Sequence, residues 1–430
     1  MVLENFLWMI LRLRNRKIDF QYMMNKILFP LLVCCLLMQT ACSHDDKIVM
    51  PVSVSKRTVL VYLAADNNLG GAGDVNFALK DVEEMKVGMG KFAGEGFHLL
   101  VYKDFNSGIS APELVEIKQN KYGKVVEKVV KTYEDRNSVG VAEMQEVFGD
   151  VFANPVFQAE SYGLVFWSHG EGWFPYPIPN SRWIGQDVGM GDKRMNLSQF
   201  KEVLQSVPGL HFDFLMFDAC FMQSVEVVYE LRNFADYFVG SPAEIPGPGA
   251  PYDAIVPLMF VCQGAVDLAE AYYQVYKDIY NGGKDISNDN WTGGVSMSVT
   301  CSAALDKLAA VTRQCLQDVG EVSSMILKNE LFDYDKRTKR DEHVGYYDWC
   351  QLMEKVLPTK SFDQWKKVFD ESLVFWKTTP KNYSGFVGMF DMAGANGVTH
   401  YLPDDLSDGR VAAYRDLAWY EAAGLSQLGW

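Results

Sequence analysis

The sequence predicts an α/β fold: a mainly parallel central sheet between two layers of helices, with a C-terminal subdomain that continues the sheet. Three observations predict it. Apolar runs recur without the in-out alternation of a half-buried strand and then break off into polar or Gly-rich residues, as in "RTVLVYLAADNNL" and "FLMFDACFMQ". Strands of this kind are buried on both faces, as in parallel sheets. Between them lie amphipathic stretches with the spacing of crossover helices. The chain also carries enough apolar material for a large core, with 48% hydrophobic and 22% charged residues among 430.

Taken in order, the strand runs are "RTVLVYLAADNNL" from Arg57, "FHLLVYKDF" (97–105), "YGLVFWSHGEGW" (162–173), "FDFLMFDAC" (212–220) and "ADYFVGSPAE" (235–244). "DVNFALKDVEEMKVGM" places Val75, Leu79, Val82 and Met85 near one helical face, and "LSQFKEVLQSV" and "CFMQSVEVVYELRNF" read likewise. "LVEIKQNKYGKVVEKVVKTY" (114–133) reads as a hairpin turning at 120–123 and decorating the sheet. Further strands are expected in 288–302, 382–391 and 397–403, separated by helices such as "ALDKLAAVTRQCLQDVGEVSSMIL". The core is therefore placed at 57–275 and the C-terminal subdomain at 276–430.

The formal charge of −15, from 40 basic and 55 acidic residues, argues against nucleic acid as a partner, because phosphate-backbone binding needs clustered Lys and Arg. Near the N-terminus Lys26 precedes twelve apolar residues from Ile27 to Met38, then small residues and Cys42. That is signal-peptide grammar, and the run falls short of the roughly 20 residues of a membrane span. Residues 23–41 resemble a lipoprotein signal, which would make Cys42 the lipidated mature N-terminus. Residues 1–22 read as an extension upstream of a start at Met23 or Met24, and 42–56 as a linker. "SHDD" after Cys42 resembles the acidic tag of surface-exported lipoproteins; an ordinary cleaved secretion signal is the alternative. Contact with the membrane is expected only through this anchor. Cys34 and Cys35 leave with the signal, and the remaining Cys220, Cys262, Cys301, Cys315 and Cys350 are odd in number and irregularly spaced. They form neither a disulfide framework nor a zinc pattern.

In an open parallel sheet, sites gather at the carboxyl ends of the strands. Two such ends carry chemistry: "LVFWSHGEGW", with His169 and Gly170, and "FLMFDACFM", with Asp218 and Cys220. A thiol near its ordinary pKa of about 8.5 is only partly ionised at neutral pH, so a neighbouring imidazole must take its proton. Attack on a carbonyl then creates an oxyanion that needs backbone N–H donors. Gly170 lets its amide approach closely, and the amide of Cys220 is the natural second donor. Residues i and i+2 of an extended segment share a face, so Asp218 can project beside Cys220 and bind a cationic substrate side chain. Singly, each has a structural reading: a core cysteine, a structural histidine, a helix-capping aspartate. Their joint placement favours chemistry, and His169 and Cys220 lie 51 positions apart, near the spacing of about 50 in caspases.

These residues resemble those of the clostripain-like cysteine peptidases, a bacterial branch of the caspase-fold clan. The resemblance spans roughly 57–430 and rests on "YLAADNNL", "FWSHGEGW", "FDACFMQSVEVVYEL", "GSPAEIPGPGAPYD", "GVTHYLP" and the terminal "LAWYEAAGLSQLGW". It implies a caspase-like α/β/α sandwich and a cysteine endopeptidase acting on protein or peptide substrates. His169 would be the general acid/base and Cys220 the nucleophile. Gly170 would join the oxyanion hole, and Asp218 would line an S1 pocket for Arg or Lys. Where relatives often carry a second acid in a "PGDGW"-like loop, this chain has "PGPGAP" with Pro248, flanked by Glu244 and Asp253.

Members can also mature by cutting between the dyad residues, which makes Arg182, Lys193 and Arg194 candidate self-processing sites; an uncut loop is the alternative. No cofactor is required for the chemistry and no metal ligands are assigned. Calcium is known in part of the family, and Asp66 is a candidate for it, but a calcium site needs six to eight oxygens and no EF-hand loop is present. The runner-up function is a catalytically weak or inactive caspase-fold surface lipoprotein that binds or scaffolds. The protein is expected to be exported and either lipid-anchored to the outer membrane, with surface exposure left open, or secreted.

Overall fold

The computed structural model describes residues 54–71, 75–106, 108–173, 183–189, 191–261, 264–323, 327–339, 342–403 and 405–430. The signal segment, Cys42, Arg182 and Cys262 lie outside these residues.

The first apolar run forms β1 (Ser55–Ala65), and α1 (Phe77–Lys91) carries the chain across to β2 (Phe97–Phe105), which pairs parallel to β1. The hairpin follows as β3 (Glu113–Gln119) and β4 (Val125–Thr132), antiparallel on the β2 edge. Its turn is held by the Asn120 side chain, which accepts from the backbone N–H groups of Tyr122 and Lys124. Helix α2 (Val141–Phe152) then returns the chain to the other side of β1, where β5 (Ala159–Trp167) pairs in parallel. A small hairpin of β6 (Ile184–Asp187) and β7 (Lys193–Met195) precedes α3 (Leu197–Leu204) and β8 (Phe212–Asp218). Helix α4 (Val225–Leu231) leads to β9 (Ala235–Gly240).

The next segments are α5 (Tyr252–Ile255), α6 (Gly264–Ile279), β10 (Ser296–Cys301), α7 (Leu305–Leu316), β11 (Tyr346–Asp348), α8 (Trp349–Val356), α9 (Thr359–Ser372) and β12 (Leu373–Thr378). The main sheet has nine strands in the order β12-β10-β9-β8-β5-β1-β2-β3-β4. Its five central strands are parallel, and the added strands at each edge are antiparallel. The strand order reverses between β1 and β5, which is where a crevice opens at the carboxyl ends of such a sheet.

Alternation along the strands explains the unbroken apolar runs. Leu60, Tyr62 and Ala64 of β1 face one layer with α2, α3, α4 and α7, while Val59, Val61 and Leu63 face the other with α1, α5 and α6. Both faces are buried, so both alternating sets of side chains in the middle of β1 are apolar. The inner face of α1 differs from the expected one. Ala78, Val82, Met85 and Met89 are buried together with Asp81, whereas Leu79 is 47% exposed.

The C-terminal expectation holds for β10 but not for the two later runs as strands of the main sheet. Residues 382–391 form a separate hairpin of β13 (Lys381–Ser384) and β14 (Gly388–Asp391), and β15 (Thr399–Tyr401) pairs with β11. The strand that extends the sheet beyond β10 is β12, which was not among the strands expected from sequence and follows α9 with no Gly or Pro between them.

Candidate active site

Register brings the two chemical strand ends together. Trp167 of β5 pairs with Asp218 of β8, so His169 and Cys220 each stand two residues past the same point on neighbouring parallel strands. Both line a cavity of about 200 Å³ bounded by Trp167, Asp218, Glu244, Ile245, Trp291 and Tyr383. Both also line an adjoining cavity of about 460 Å³ that reaches Asn68, Glu171, Arg194 and Arg337. The two cavities thus share His169 and Cys220 in their walls.

The turn that presents Cys220 is strained. Phe221, a non-glycine residue, has φ of 60°, and the turn is fixed by backbone bonds from Phe221 N–H to Ala243 and from Gln223 N–H to Ser241, each 3.0 Å. Gly170 fits against it because a Cβ there would lie 2.8 Å from both the Ala219 Cβ and the Cys220 carbonyl oxygen. A bridge to β6 ties down its neighbours: Gly185 N–H donates to the His169 carbonyl and Glu171 N–H to the Trp183 carbonyl, each at 2.9 Å. The Gly170 N–H stays outside this ladder.

In this resting arrangement both partners are uncharged at neutral pH. Burial pushes the Cys220 thiol up to about 12, with nearby Glu244 adding to the effect, while the Ile245 N–H at 3.4 Å from Sγ opposes it. Burial lowers the His169 imidazole below its ordinary value, against the pull of Glu171. Each shift by itself favours the uncharged form of its group. Alkylation of Cys220 by iodoacetamide, followed by peptide mass, is accordingly expected to rise about tenfold per pH unit between about pH 6 and pH 9. A plateau below about pH 8 would show a preformed ion pair instead.

Asp218 is 1% exposed. Its Oδ2 accepts from Ala250 N–H and Tyr252 O–H, each at 3.0 Å, and its Oδ1 from Tyr272 O–H at 3.3 Å. Burial raises its pKa to about 6, and these three donors oppose the rise. It still walls the smaller cavity beside Cys220. Asp81 lies close behind: Trp167 Nε1–H donates to it at 2.7 Å, and burial, then Asp218, holds its carboxyl well above the usual range. Gly249 lies beside both acids, with φ of 73° and a built Cβ 3.0 Å from Asp218 Oδ2 and 3.3 Å from Asp81 Oδ2.

Of the acids flanking Pro248, Glu244 lines both cavities and accepts from Ser384 and the Gly385 N–H. Asp253 instead pairs with Lys91 at 2.8 Å. Lys193 and Arg194 sit in β7, and Arg194 pairs with Asp192 at 3.1 Å and covers the Trp183 ring at 4.5 Å. Sequence reasoning missed Asn68, whose Oδ1 is 2.7 Å from His169 Nε2, and Arg337, which bridges Glu171 and Asp335 at 2.9 Å each. Asn68 had a signal, since it stands in "AADNNL" at the end of a neighbouring strand. Arg337 had none, lying far along the chain in an irregular segment.

Among the described residues, Asp66, Asp104 and Asp135 bring carboxylate oxygens within 4.8 Å of one another and are the group that offers ligands to a cation. Asp66 and Asp104 are fully buried, and burial with the neighbouring acids pushes Asp104 up to about 8. At one oxygen each they supply three of the six to eight ligands of a calcium site, and up to six if each carboxylate binds through both oxygens.

The model of the clostripain family matches residues 61–427. Clostripain of Hathewaya histolytica is 28% identical over 225 residues, which is 46% of this chain and 41% of that protein, so the match spans less than half of the relative's length. A secreted C11 cysteine protease of Bacteroides thetaiotaomicron, solved with an irreversible peptide inhibitor, is 42% identical with a TM-score of 0.77, covering 86% of this chain and 99% of that one. An inactive zymogen C11 protease of Parabacteroides distasonis is 27% identical with a TM-score of 0.70, covering 87% and 99%. Strand order, strand-end chemistry and these likenesses agree, and the chain belongs to the clostripain family of cysteine peptidases.

Proposed function

We propose that the protein is a cysteine endopeptidase in which Cys220 attacks the scissile carbonyl and His169 takes the thiol proton, then returns it to the leaving amine. The observation that carries this reading is the placement of both side chains past one register point of β5 and β8, in the walls of two shared cavities. The N–H groups of Gly170 and Cys220 are assigned to the oxyanion, Gly170 because only a residue without Cβ fits there. Substrates are proteins or peptides, with Arg or Lys at P1 facing Asp218. A peptide-library digest tests the activity, and cleavage that persists after Cys220→Ala would overturn it.

The three donors on Asp218 favour a second reading of the pocket, in which the acid braces the 245–252 loop and the cavity of about 200 Å³ takes a short uncharged side chain. The same digest separates the two by the residue preceding each cut.

We infer that the chemistry runs without a metal, since nucleophile, base and oxyanion donors all come from the chain. A chelator is expected to leave the rate of peptide cleavage unchanged; loss of activity restored by calcium would assign Asp66, Asp104 and Asp135 a required ion. Self-processing at Arg182, Lys193 or Arg194 is proposed from their place between the dyad residues. Lys193 and Arg194 are held in the β6–β7 hairpin, and Arg182 lies outside the described residues. Intact mass should then show a cut in wild type and none in the Cys220→Ala variant, and an uncut wild type would sink the idea. Export with a lipid at Cys42 is likewise proposed from the sequence. No helix among the described residues is long and apolar enough to cross a membrane.

A further inference from the structure

We propose that Asn68 is the positioning residue of His169, fixing its ring and tautomer so that Nδ1 faces the thiol. The proposal rests on the reading of His169 and Cys220 as the working pair. What points to it is a row of three strand ends. β1 neighbours β5 on one side, with Leu63 opposite Trp167, and β8 neighbours it on the other, with Trp167 opposite Asp218. The residues just past those ends are Asn68, His169 and Cys220, so in the order of strands His169 stands between the other two, touching Asn68 and sharing two cavities with Cys220.

The amide is held by its own turn. Asn67, fully buried, donates from Nδ2 to the Ala64 carbonyl at 3.1 Å and the Gln186 carbonyl at 2.9 Å, and its Oδ1 accepts from Leu69 N–H at 2.9 Å. Gly70 closes the turn so tightly that a Cβ would come within 1.8 Å of the Ala65 carbonyl oxygen. Val188 N–H, donating to the Asp66 carbonyl at 2.7 Å, ties the turn to the segment after β6. Asn68 thus projects from a braced loop, and His169 from a backbone pinned by Gly185.

A carbonyl oxygen only accepts, so Oδ1 at 2.7 Å from Nε2 places the ring proton on Nε2 and leaves the Nδ1 lone pair to take the thiol proton. When it does, the Nε2–H bond to Oδ1 strengthens on the imidazolium and stabilises it. A neutral amide has this effect without adding charge. A carboxylate in its place would raise the imidazole pKa and protonate the base too early. Burial already lowers the His169 pKa, and an asparagine leaves that setting in place.

The experiment uses a peptide that the wild type cleaves and the variants Asn68→Ala and Asn68→Asp. Asn68→Ala is expected to lower kcat about 10- to 100-fold with KM within about threefold, the size of effect that a misplaced reacting group produces. Asn68→Asp keeps the acceptor, so it should recover most of that loss and shift the acid limb of the kcat/KM profile to higher pH. An unchanged kcat in Asn68→Ala, or an Asn68→Asp variant that neither recovers nor shifts its acid limb, overturns the proposal. Nitrogen NMR of His169, assigned with a His169→Ala variant, gives an independent readout. The Nε2–H tautomer is expected, and an Nδ1–H tautomer overturns it. If Cys220→Ala retains turnover, the dyad reading fails; if it loses turnover while Asn68→Ala is unaffected, only this inference fails.

Discussion

Cys220→Ala is expected to lower kcat/KM for any cleaved peptide by at least about 10⁴-fold, and His169→Ala by a comparable factor, with no additive loss in the double variant. Groups that act as one unit show this pattern, because removing either leaves only binding and oxyanion stabilisation. The resting electrostatics sharpen the expectation. With its pKa pushed up to about 12, the Cys220 thiol supplies almost no thiolate at neutral pH, so without His169 no other described group is placed to take its proton. Glu244 and Glu171 are near, but Glu244 is held by Ser384 and the Gly385 N–H, and Glu171 by Arg337. The fold should survive both changes, since Cys220 and His169 are only partly buried and the turn is held by backbone bonds from Phe221 and Gln223. Thermal unfolding of the variants checks this. Turnover within about tenfold of wild type in His169→Ala would remove the imidazole from the mechanism and return the base to one of the glutamates.

Much of this site was legible in the sequence because two physical rules act on short segments. A strand buried on both faces must be apolar until it ends, so "YGLVFW" and "FDFLMF" mark where "SHG" and "DAC" emerge. The carboxyl edge is where an open parallel sheet leaves room for a ligand. What sequence could not supply was which strand ends become neighbours. Asn68 belongs to the site because β1, first in the chain, is inserted beside β5, and that follows from the crossovers and not from local pattern. Asp81 was hidden for a different reason: the helical period placed Leu79 inside, whereas α1 turns its acid inward toward Trp167 and Asp218. A buried hydrogen bond from an indole outweighed the hydrophobic count. The β12 strand was missed because the residues of α9 pass into it with no breaker between them.

Asp218→Asn is the change expected to alter specificity most. If the pocket receives Arg or Lys, the entering cation meets Asp218 in a site with little water, and losing that partner costs about 2–4 kcal/mol, or roughly 30- to 900-fold in kcat/KM. Substrates with alanine at P1 should change by less than about threefold, because they never reach the acid. Asparagine is the right replacement, since it keeps the shape: its oxygen can accept from the Ala250 N–H and the Tyr252 hydroxyl while its NH2 donates to the Tyr272 hydroxyl, whereas alanine would strand buried donors at about 1–3 kcal/mol each. The pH dependence supplies an independent sign. Asp218 has a pKa raised to about 6, so it is charged above that value and neutral below it. The ratio of kcat/KM for arginine over alanine substrates should therefore fall as pH drops through about 6, and His169 cancels in that ratio because both substrates need it. In Asp218→Asn the ratio should be low and flat. A wild-type ratio near one at every pH would instead establish the brace: an acid that ties Ala250 and Tyr252 of the 245–252 segment to Tyr272 of α6, walling a cavity sized for a small side chain.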